Sequence, residues 1–456
     1  MSYTDTIAAI STPAGTGGIG TIRVSGPAAR EICDRVFVSH KNRRIIDAPG
    51  YTALYGRVHG PDGPIDEAVA LVFAAPASYT GEDVVELSVH GGSYIVKTLL
   101  RALLAVGARL AEGGEFTRRA FLNGKLDLAQ AESVMQLISA KGEEAHRAAM
   151  QVKDGALSRE VEQIRAFLLR CAGDLAAYID YPDEDMPGLE SGVFLRNLEA
   201  AEEMLSHLLT IYDAGRLLRE GVDTVIVGRP NVGKSTLMNL LVGEERSIVT
   251  DVAGTTRDIV EESVMLGGIC LRLADTAGLR KTDDRVEAIG VQRTRDRLER
   301  ARLVLLLLDA SSPLTAEDRA LLSLCEGKQT VVVINKSDLP EQIDRSAVEA
   351  YGFPVVTISA LDRGAAALLG AAVEEVTGLS DLSDDPVILS TERQRACAEE
   401  ALAAVRETKA VLTAGITLDA VGVCLDDALN ALFSLTGERV TTAVADEVFS
   451  RFCVGK

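Results

Sequence analysis

The spacing of hydrophobic and polar positions changes character along the chain. Up to about residue 120, short β-rich runs ("TIRVSG", "EAVALVFAA", "DVVELSVHGG") alternate with a helical run, "YIVKTLLRALLAVGA", and with Gly/Pro turns, which predicts an α/β domain. From about Leu126 to Arg219 apolar residues fall at three-to-four spacing, as in "QAESVMQLISA" and "EVEQIRAFLLRCAGDLAAYI". They predict long helices, broken by the two prolines of "DYPDEDMPG" (180–188). From about Gly221 to Gly378 compact apolar strands, "TVIVG", "LVLLLLD", "TVVVIN" and "VVTIS", alternate with helices, as in a mostly parallel sheet covered on both faces. After "DLSDDP" the helical period returns in "TERQRACAEEALAAVRETKAVL", "LDDALNALFSL" and "DEVFSRF". The predicted division is 1–120, 121–220, 221–379 and 380–456. The simplest architecture inserts the third segment into a helical domain built from the second and fourth; two separate helical domains satisfy the pattern equally well. No period of 20–50 residues marks a repeat array.

Composition narrows the class. A chain of 456 residues exceeds one ordinary core. No apolar run approaches a membrane span, and "MSYTDTIAAISTPAGTGG" lacks the basic start and long apolar stretch of a signal peptide. Seven scattered cysteines without a CxxC pair predict a reducing, cytoplasmic setting rather than a disulfide framework. The net charge of −20 is uneven: residues 1–120 are balanced and the acidic excess lies entirely beyond them. Such a field does not steer the chain to nucleic acid, so contact with RNA requires a local basic patch or a basic partner.

One motif points to phosphate chemistry, and others in register with it strengthen the reading over an idle Gly-rich turn. "VIVGRPNVGKSTLMN" holds G-x-x-x-x-G-K-S, Gly228 to Ser235, between a strand-like and a helix-like run. Gly228 and Gly233 permit a loop whose N–H groups face phosphate oxygens. Lys234 reaches the β- and γ-phosphates, Ser235 offers its hydroxyl to Mg²⁺, and the helix N-terminus adds positive potential. "DTAG" (275–278) follows the strand "CLRLA": Asp275 is expected to hold Mg²⁺ through water and the Gly278 N–H to sense the γ-phosphate. "NKSD" (335–338) ends "TVVVI", where Asp338 can accept two hydrogen bonds from guanine but none from adenine. "SAL" (359–361) can give a backbone N–H to guanine O6, and "TDVAGTTRD" (250–258) supplies Thr256 as second Mg²⁺ ligand. Order and spacing are those of the Ras-like GTPases. The GTP site is therefore expected to comprise Asn231, Val232, Gly233, Lys234, Ser235 and Thr236; Thr250, Asp251, Val252, Ala253, Gly254, Thr255 and Thr256; Asp275, Thr276, Ala277 and Gly278; and Asn335, Lys336, Asp338, Ser359, Ala360 and Leu361.

Leu279 stands where Ras-like enzymes keep a water-orienting glutamine. Leucine neither aligns water nor neutralises charge, both of which phosphoryl transfer needs. Glu287 in the same switch can hold the nucleophilic water, or is a solvated carboxylate. Asn231 can ligate a monovalent cation with carbonyls from 250–255, taking the place of an arginine finger, or is a small loop-former.

Motifs spanning nearly the whole chain resemble those of the MnmE (TrmE) tRNA-modification GTPase family: "DTIAAISTPAGTGGIGTIRVSG", "YTGEDVVELSVHGG", "GGEFTRRAFLNGKLDLAQAE", "LREG", "DVAGTTRD", "DTAGLR" and the terminal "FCVGK". The resemblance implies a multidomain α/β + α protein with an N-terminal α/β folate-binding and dimerisation domain, a discontinuous helical domain, and an inserted Ras-like P-loop GTPase domain. It implies that K⁺ binds at Asn231, Thr250, Val252 and Thr255, that Ser235 and Thr256 bind Mg²⁺, and that Glu287 orients the water where two G domains meet. It also implies an FAD-containing MnmG-type partner in a heterotetramer, with tRNA held mainly by that partner. By the same resemblance the pair is expected to install a carboxymethylaminomethyl or aminomethyl group at C5 of the wobble uridine (U34) of certain tRNAs, with a 5-formyl- or methylene-tetrahydrofolate as the expected carbon source.

The implied folate residues are Arg23, Glu86, Lys125 and Lys456. A carboxylate such as Glu86 can accept two N–H donors from a pteridine edge, and the cations can pair with the glutamate tail. Taken singly, each is more readily a surface ion pair, a strand-end charge or a frayed tail, and only the matching family positions raise them. Cys453 is expected near the one-carbon group if the C-terminus folds back, in a proximal rather than catalytic role. His90 is a general base or, more in keeping with the two glycines after it, a turn or core histidine. Arg118 and Arg119 touch phosphate or form a helix-start cluster. A competing reading makes the chain a GTP-controlled binding switch for RNA or ribosome assembly, with hydrolysis as a timer. The missing glutamine favours it; the lack of a KH-type GxxG loop or basic helix after the G domain opposes it.

Overall fold

The computed structural model describes residues 5–140, 142–180, 192–244, 262–273, 298, 301–378, 389–450, 452 and 454–455. Two compact units emerge, Met1–Met135 with Val161–Leu198 and Ala403–Lys456, and Gln136–Glu160 with Glu199–Leu402.

The first unit is built on a seven-stranded sheet. Its strands are β1 (Ile7–Ile10), β2 (Ile19–Ser25), β3 (Phe37–Ser39), β4 (Thr52–Gly60), β5 (Gly63–Phe73), β6 (Val84–His90) and β7 (Arg109–Leu110), in the order β3-β4-β5-β6-β2-β1-β7. All neighbours are antiparallel except β1 and β7. The period-2 alternation sorts residues to two faces. Ile22 and Val24 on β2, with Val85 and Leu87 on β6, pack against Ile32 and Val36 of helix α1 (Ala29–Val36) and Leu99 and Leu103 of α2 (Ser93–Ala105). Fully burying each such side chain contributes about 1.5–3 kcal/mol. The alternate positions put Thr21, Arg23 and Ser25 opposite Ser88, Glu86 and Val84, a largely polar face. Phe116 of helix α3 (Glu115–Leu122) clusters with Ile7, Ala9 and Tyr79. β4 lacks a continuous apolar run because Gly56, Arg57, His59 and Gly60 interrupt it. At Gly56 a side chain would run into the Val38 carbonyl, so the strand needs glycine there.

Helices α4 (Leu128–Ser139), α5 (Glu143–Lys153), α6 (Ala156–Asp180) and α7 (Val193–Glu220) follow. The second unit holds a six-stranded sheet of β8 (Val222–Val227), β9 (Glu262–Leu266), β10 (Ile269–Leu273), β11 (Leu303–Asp309), β12 (Gln329–Asn335) and β13 (Val355–Thr357). Its order is β13-β12-β11-β8-β10-β9, parallel except for the β9–β10 hairpin, which turns at Gly267 and Gly268 with φ of 57° and 76°. β11 and β12 are buried almost throughout, as strands covered on both faces must be, and this is why they read as unbroken apolar runs. Helices α8 (Lys234–Glu244), α9 (Ala316–Leu324), α10 (Arg345–Glu349) and α11 (Ala365–Thr377) belong to this layer structure. Helices α12 (Glu392–Thr413), α13 (Leu418–Thr436) and α14 (Thr442–Ser450) complete the described elements.

The chain end returns to the N-terminal sheet. Val454 bridges Gly113, and a side chain at Gly455 would run into the Ile10 carbonyl. Among the described residues no helix is long and apolar enough to cross a membrane.

Candidate functional site

β8 and β11 are neighbours in the sheet, but the chain leaves them on opposite sides, so their C-terminal ends open a crevice of the kind that holds ligands in α/β sheets. The phosphate loop lies there. Gly228 has φ of +152°, and a Cβ on it would stand 2.6 Å from the Leu307 carbonyl. Gly233 has φ of +103°, and a Cβ would collide with the Asn335 amide. Both glycines are thus required by close approach as well as by conformation. Asn231 (φ 65°) and Lys336 (φ 66°) are two of the four non-glycine residues with positive φ among the described residues. Both lie in the nucleotide loops, where such backbone strain tends to collect.

Asn335 ties the loops together. Its Nδ2 donates to the Val232 carbonyl at 2.9 Å, and its Oδ1 accepts from the Ala360 N–H at 2.9 Å, both buried. One side chain therefore fixes the phosphate loop, the NKSD loop and the SAL loop at once. Lys336 Nζ donates to Asp309 Oδ2 at 2.5 Å. Burial pushes the Asp309 carboxyl up, but hydrogen bonds from Lys336 and Ser311 outweigh it and hold the group below its ordinary value. Lys234 Nζ donates to the carbonyls of Gly228 (2.7 Å) and Arg229 (2.6 Å), and burial lowers its pKa despite the nearby Glu317 charge. Ser235 and Asp338 are exposed, as is Leu361, while Val232 is buried. Thr236, Ala360 and Leu361 share a cavity of about 1150 Å³ with Asn239, Leu240 and Arg363.

Thr250, Asp251, Val252, Ala253, Gly254, Thr255, Thr256, Asp275, Thr276, Ala277, Gly278, Leu279 and Glu287 lie outside the described residues, as do Cys453 and Lys456.

On the polar face of the N-terminal sheet, Arg23 and Glu86 occupy opposed positions and bond to each other, Nε to Oε1 at 2.8 Å. The Arg23 guanidinium carbon lies 5.3 Å from the Tyr79 ring centre and 5.6 Å from that of Phe116, within cation–π range of both. The Tyr79 hydroxyl meets Thr117 Oγ1 at 2.9 Å, and burial raises its pKa. Lys125 Nζ donates to the Pro76 carbonyl at 3.2 Å in the segment leading to Tyr79.

Of the two readings of His90, the core one is corrected: its ring is exposed at the end of β6, and Nδ1 bonds Asp66 Oδ1 at 2.9 Å. For Arg118 and Arg119 the structure shows the helix-start cluster: Arg119 is 0% exposed and bonds Asp5, Glu82 and Glu115, while Arg118 pairs with Asp446. A cation buried to that degree needs several carboxylates around it.

Sequence reasoning missed Tyr79 and Phe116 beside Arg23, and Arg229, Asp309 and Asp318 around the phosphate loop. The T-x-x-D of Thr315 to Asp318 is a legible capping box, and the structure forms it at the start of α9.

Residues 128–453 match the family model for the MnmE helical domain, and residues 6–125 match that for the GTP-binding protein TrmE N-terminus. A "tRNA modification GTPase MnmE" of Geobacillus kaustophilus (strain HTA426) is 42% identical over 462 residues, covering 100% of both chains. One from Heliobacterium modesticaldum (strain ATCC 51547 / Ice1) is 43% identical over 463 residues, covering 99% of each. Among solved structures, the G domain of the T. maritima FeoB iron transporter is similar at 25% identity and a TM-score of 0.25, over 35% of this chain and 98% of that one.

Proposed function

Because the chain belongs to the MnmE family of tRNA modification GTPases, we propose that it is a K⁺-stimulated enzyme acting with an FAD-containing MnmG-type partner. In this reading the pair installs an aminomethyl or carboxymethylaminomethyl group at C5 of U34 in certain tRNAs, with a folate one-carbon unit as the carbon source. The partner holds most of the tRNA, which accords with the chain's net charge of −20. The chain works as a cytoplasmic homodimer. Residues 1–120 bind folate and dimerise, 121–220 and 380–456 form the helical domain, and 221–379 form the G domain.

The observation that supports the GTP reading is the pair of hydrogen bonds by which Asn335 donates to the Val232 carbonyl and accepts from the Ala360 N–H, because it ties the phosphate loop to the base-reading loops. Asp338 accepts from guanine, Lys234 and the loop amides bind the β- and γ-phosphates, and Ser235 stands at the helix start with an exposed side chain suited to a Mg²⁺ ligand. With Thr256, Ser235 would hold Mg²⁺, which supplies charge neutralisation across the phosphates. Asn231, with Thr250, Val252 and Thr255, would hold K⁺, which supplies the positive charge an arginine finger gives elsewhere. Glu287 holds the attacking water, the role Leu279 cannot fill.

Folate binding is proposed at Arg23, Glu86, Lys125 and Lys456. Support comes from a polar sheet face roofed by Tyr79 and Phe116, and from the return of Val454 and Gly455 to Gly113 and Ile10.

Hydrolysis measured in KCl and in NaCl tests the reading. Potassium should raise the rate by well over tenfold, on the order of a few kcal/mol of barrier, and Glu287→Ala should abolish that gain. Equal rates in the two salts would remove the cation site, and a fully active Glu287→Ala would remove the catalytic assignment.

A further inference from the structure

Arg229, the second residue of the phosphate loop, has no part in the chemistry above, yet its side chain is specifically held. Nε donates to Asp318 Oδ1 at 2.8 Å, and a terminal nitrogen reaches Ser312 Oγ at 3.4 Å. Asp318 is 2% exposed. Its other oxygen accepts from the Thr315 N–H (2.9 Å) and hydroxyl (2.7 Å), which completes the capping box of α9.

A cap alone does not need a charge so deeply placed; a neutral acceptor serves the same N–H groups. A buried carboxylate is retained at low cost only beside a cation, and the cation here comes from the phosphate loop, 89 residues away. The same residue is gripped from the other side, because its carbonyl oxygen accepts from Lys234 Nζ. Ser312 extends the connection: its N–H donates to the Asp309 carbonyl at 3.3 Å, and Asp309 binds Lys336. The loop that carries Lys234 is thereby fastened to the start of α9 through Asp318 and, through Ser312 and Asp309, to the base-reading loop.

We propose that the Arg229–Asp318 pair is a positioning device for nucleotide binding, holding the phosphate loop and Lys234 in register before GTP or GDP arrives. The inference rests on the GTP reading of the site. Pre-ordering of this kind acts on affinity, since the ordering cost is met before the ligand binds, and it leaves the chemical step to other groups.

The test is a double-mutant cycle on the full-length chain, read as the Kd of fluorescently labelled GDP and as KM and kcat for GTP. Arg229→Met and Asp318→Asn should each raise Kd and KM by about tenfold, with kcat changed less than about twofold, and the double variant should bind no worse than the weaker single one. Losses that multiply in the double variant would mean Asp318 acts only as a helix cap, and would overturn the proposal. So would an Arg229→Met protein that binds GDP as tightly as the parent, a result that stands even if Asp318→Asn fails to fold. A parent chain that bound no guanine nucleotide would instead overturn the reading of the site itself.

Discussion

Arg23 and Glu86 satisfy each other across the β2–β6 pair, Nε to Oε1 at 2.8 Å, with side chains 16% and 21% exposed. A pteridine edge that binds Glu86 must therefore share a carboxylate already engaged, and Arg23 in turn orients that carboxylate. The two residues act as one unit. Arg23→Met and Glu86→Gln should each weaken binding of 5-formyltetrahydrofolate to the full-length chain by at least about tenfold. The double variant should lose little more than either single one. Titration calorimetry measures this, and unchanged affinity in both single variants would remove the folate assignment.

The Asp66–His90 pair at the end of β6 gives a pH-dependent contribution whose sign is fixed. The Asp66 carboxylate accepts from His90 and holds the imidazole above its ordinary value; the nearby Glu67 charge adds to this. Burial pushes the Asp66 carboxyl up, but the two hydrogen bonds from His90 outweigh it and hold the group below its ordinary value. A raised histidine stabilises fully below about pH 6.5 and loses that contribution as pH climbs through its elevated pKa. A depressed carboxylate stabilises above about pH 3.9 and loses its contribution as pH falls through its lowered pKa. The pair is therefore strongest between these limits. In an NMR titration the His90 ring should titrate above 6.5, and in Asp66→Asn it should return to the ordinary value. An imidazole titrating at 6.5 or lower in the parent protein would refute the assignment.

Much of this architecture is legible in the sequence, for reasons that can be stated. β11 coincides with the run "LVLLLLD" because a strand buried on both faces needs an unbroken apolar stretch. The phosphate loop is legible because its glycines are demanded by local backbone geometry. Contacts between distant segments are not. Arg229 and Asp318 are 89 residues apart, and Arg23 and Glu86 are 63 apart. Nothing in a local pattern says that a loop arginine will meet a helix cap, or that two presumed ligand residues will first meet each other. His90 shows the same limit: the two glycines after it signal a turn, but only the partner strand supplies Asp66. β4 was hidden for another reason, since Gly56, Arg57, His59 and Gly60 break up its apolar signal.

Gly114 and Gly124 share φ of +68°, which makes them a matched pair. A Cβ on Gly114 would stand 2.6 Å from the Phe449 carbonyl and 2.8 Å from Phe452 Cβ, whereas one on Gly124 meets nothing within 4 Å. Gly124→Ala should cost only the backbone term of a left-handed alanine, about 1–2 kcal/mol. Gly114→Ala should cost about 1–3 kcal/mol more, because the segment carrying Phe452 and Val454 must move. Urea denaturation gives the energies, and carboxypeptidase digestion should shorten Gly114→Ala faster than Gly124→Ala. Equal behaviour of the two variants would show that the chain end is not seated on Gly114.

Asn335 and Asp338 are three residues apart in one motif but should fail in different ways. Asn335 is buried and makes both inter-loop hydrogen bonds; Asp338 is exposed. Asn335→Ala leaves the Val232 carbonyl and the Ala360 N–H without their partner, at about 1–3 kcal/mol for each buried group. The urea midpoint of the G domain should fall, and affinity for every guanine nucleotide should fall with it, because the two ends of the site lose their spacing. Asp338→Asn replaces an exposed acceptor with a group that presents a donor to the base, so stability should stay within about 0.5 kcal/mol of the parent. Preference should shift from guanine toward xanthine, whose oxygen replaces the guanine amino group. Competition of GTP and XTP for the labelled GDP site, together with urea melts of both variants, separates the two roles. An Asn335→Ala protein of parental stability, or an Asp338→Asn protein that still prefers GTP, would break the corresponding assignment.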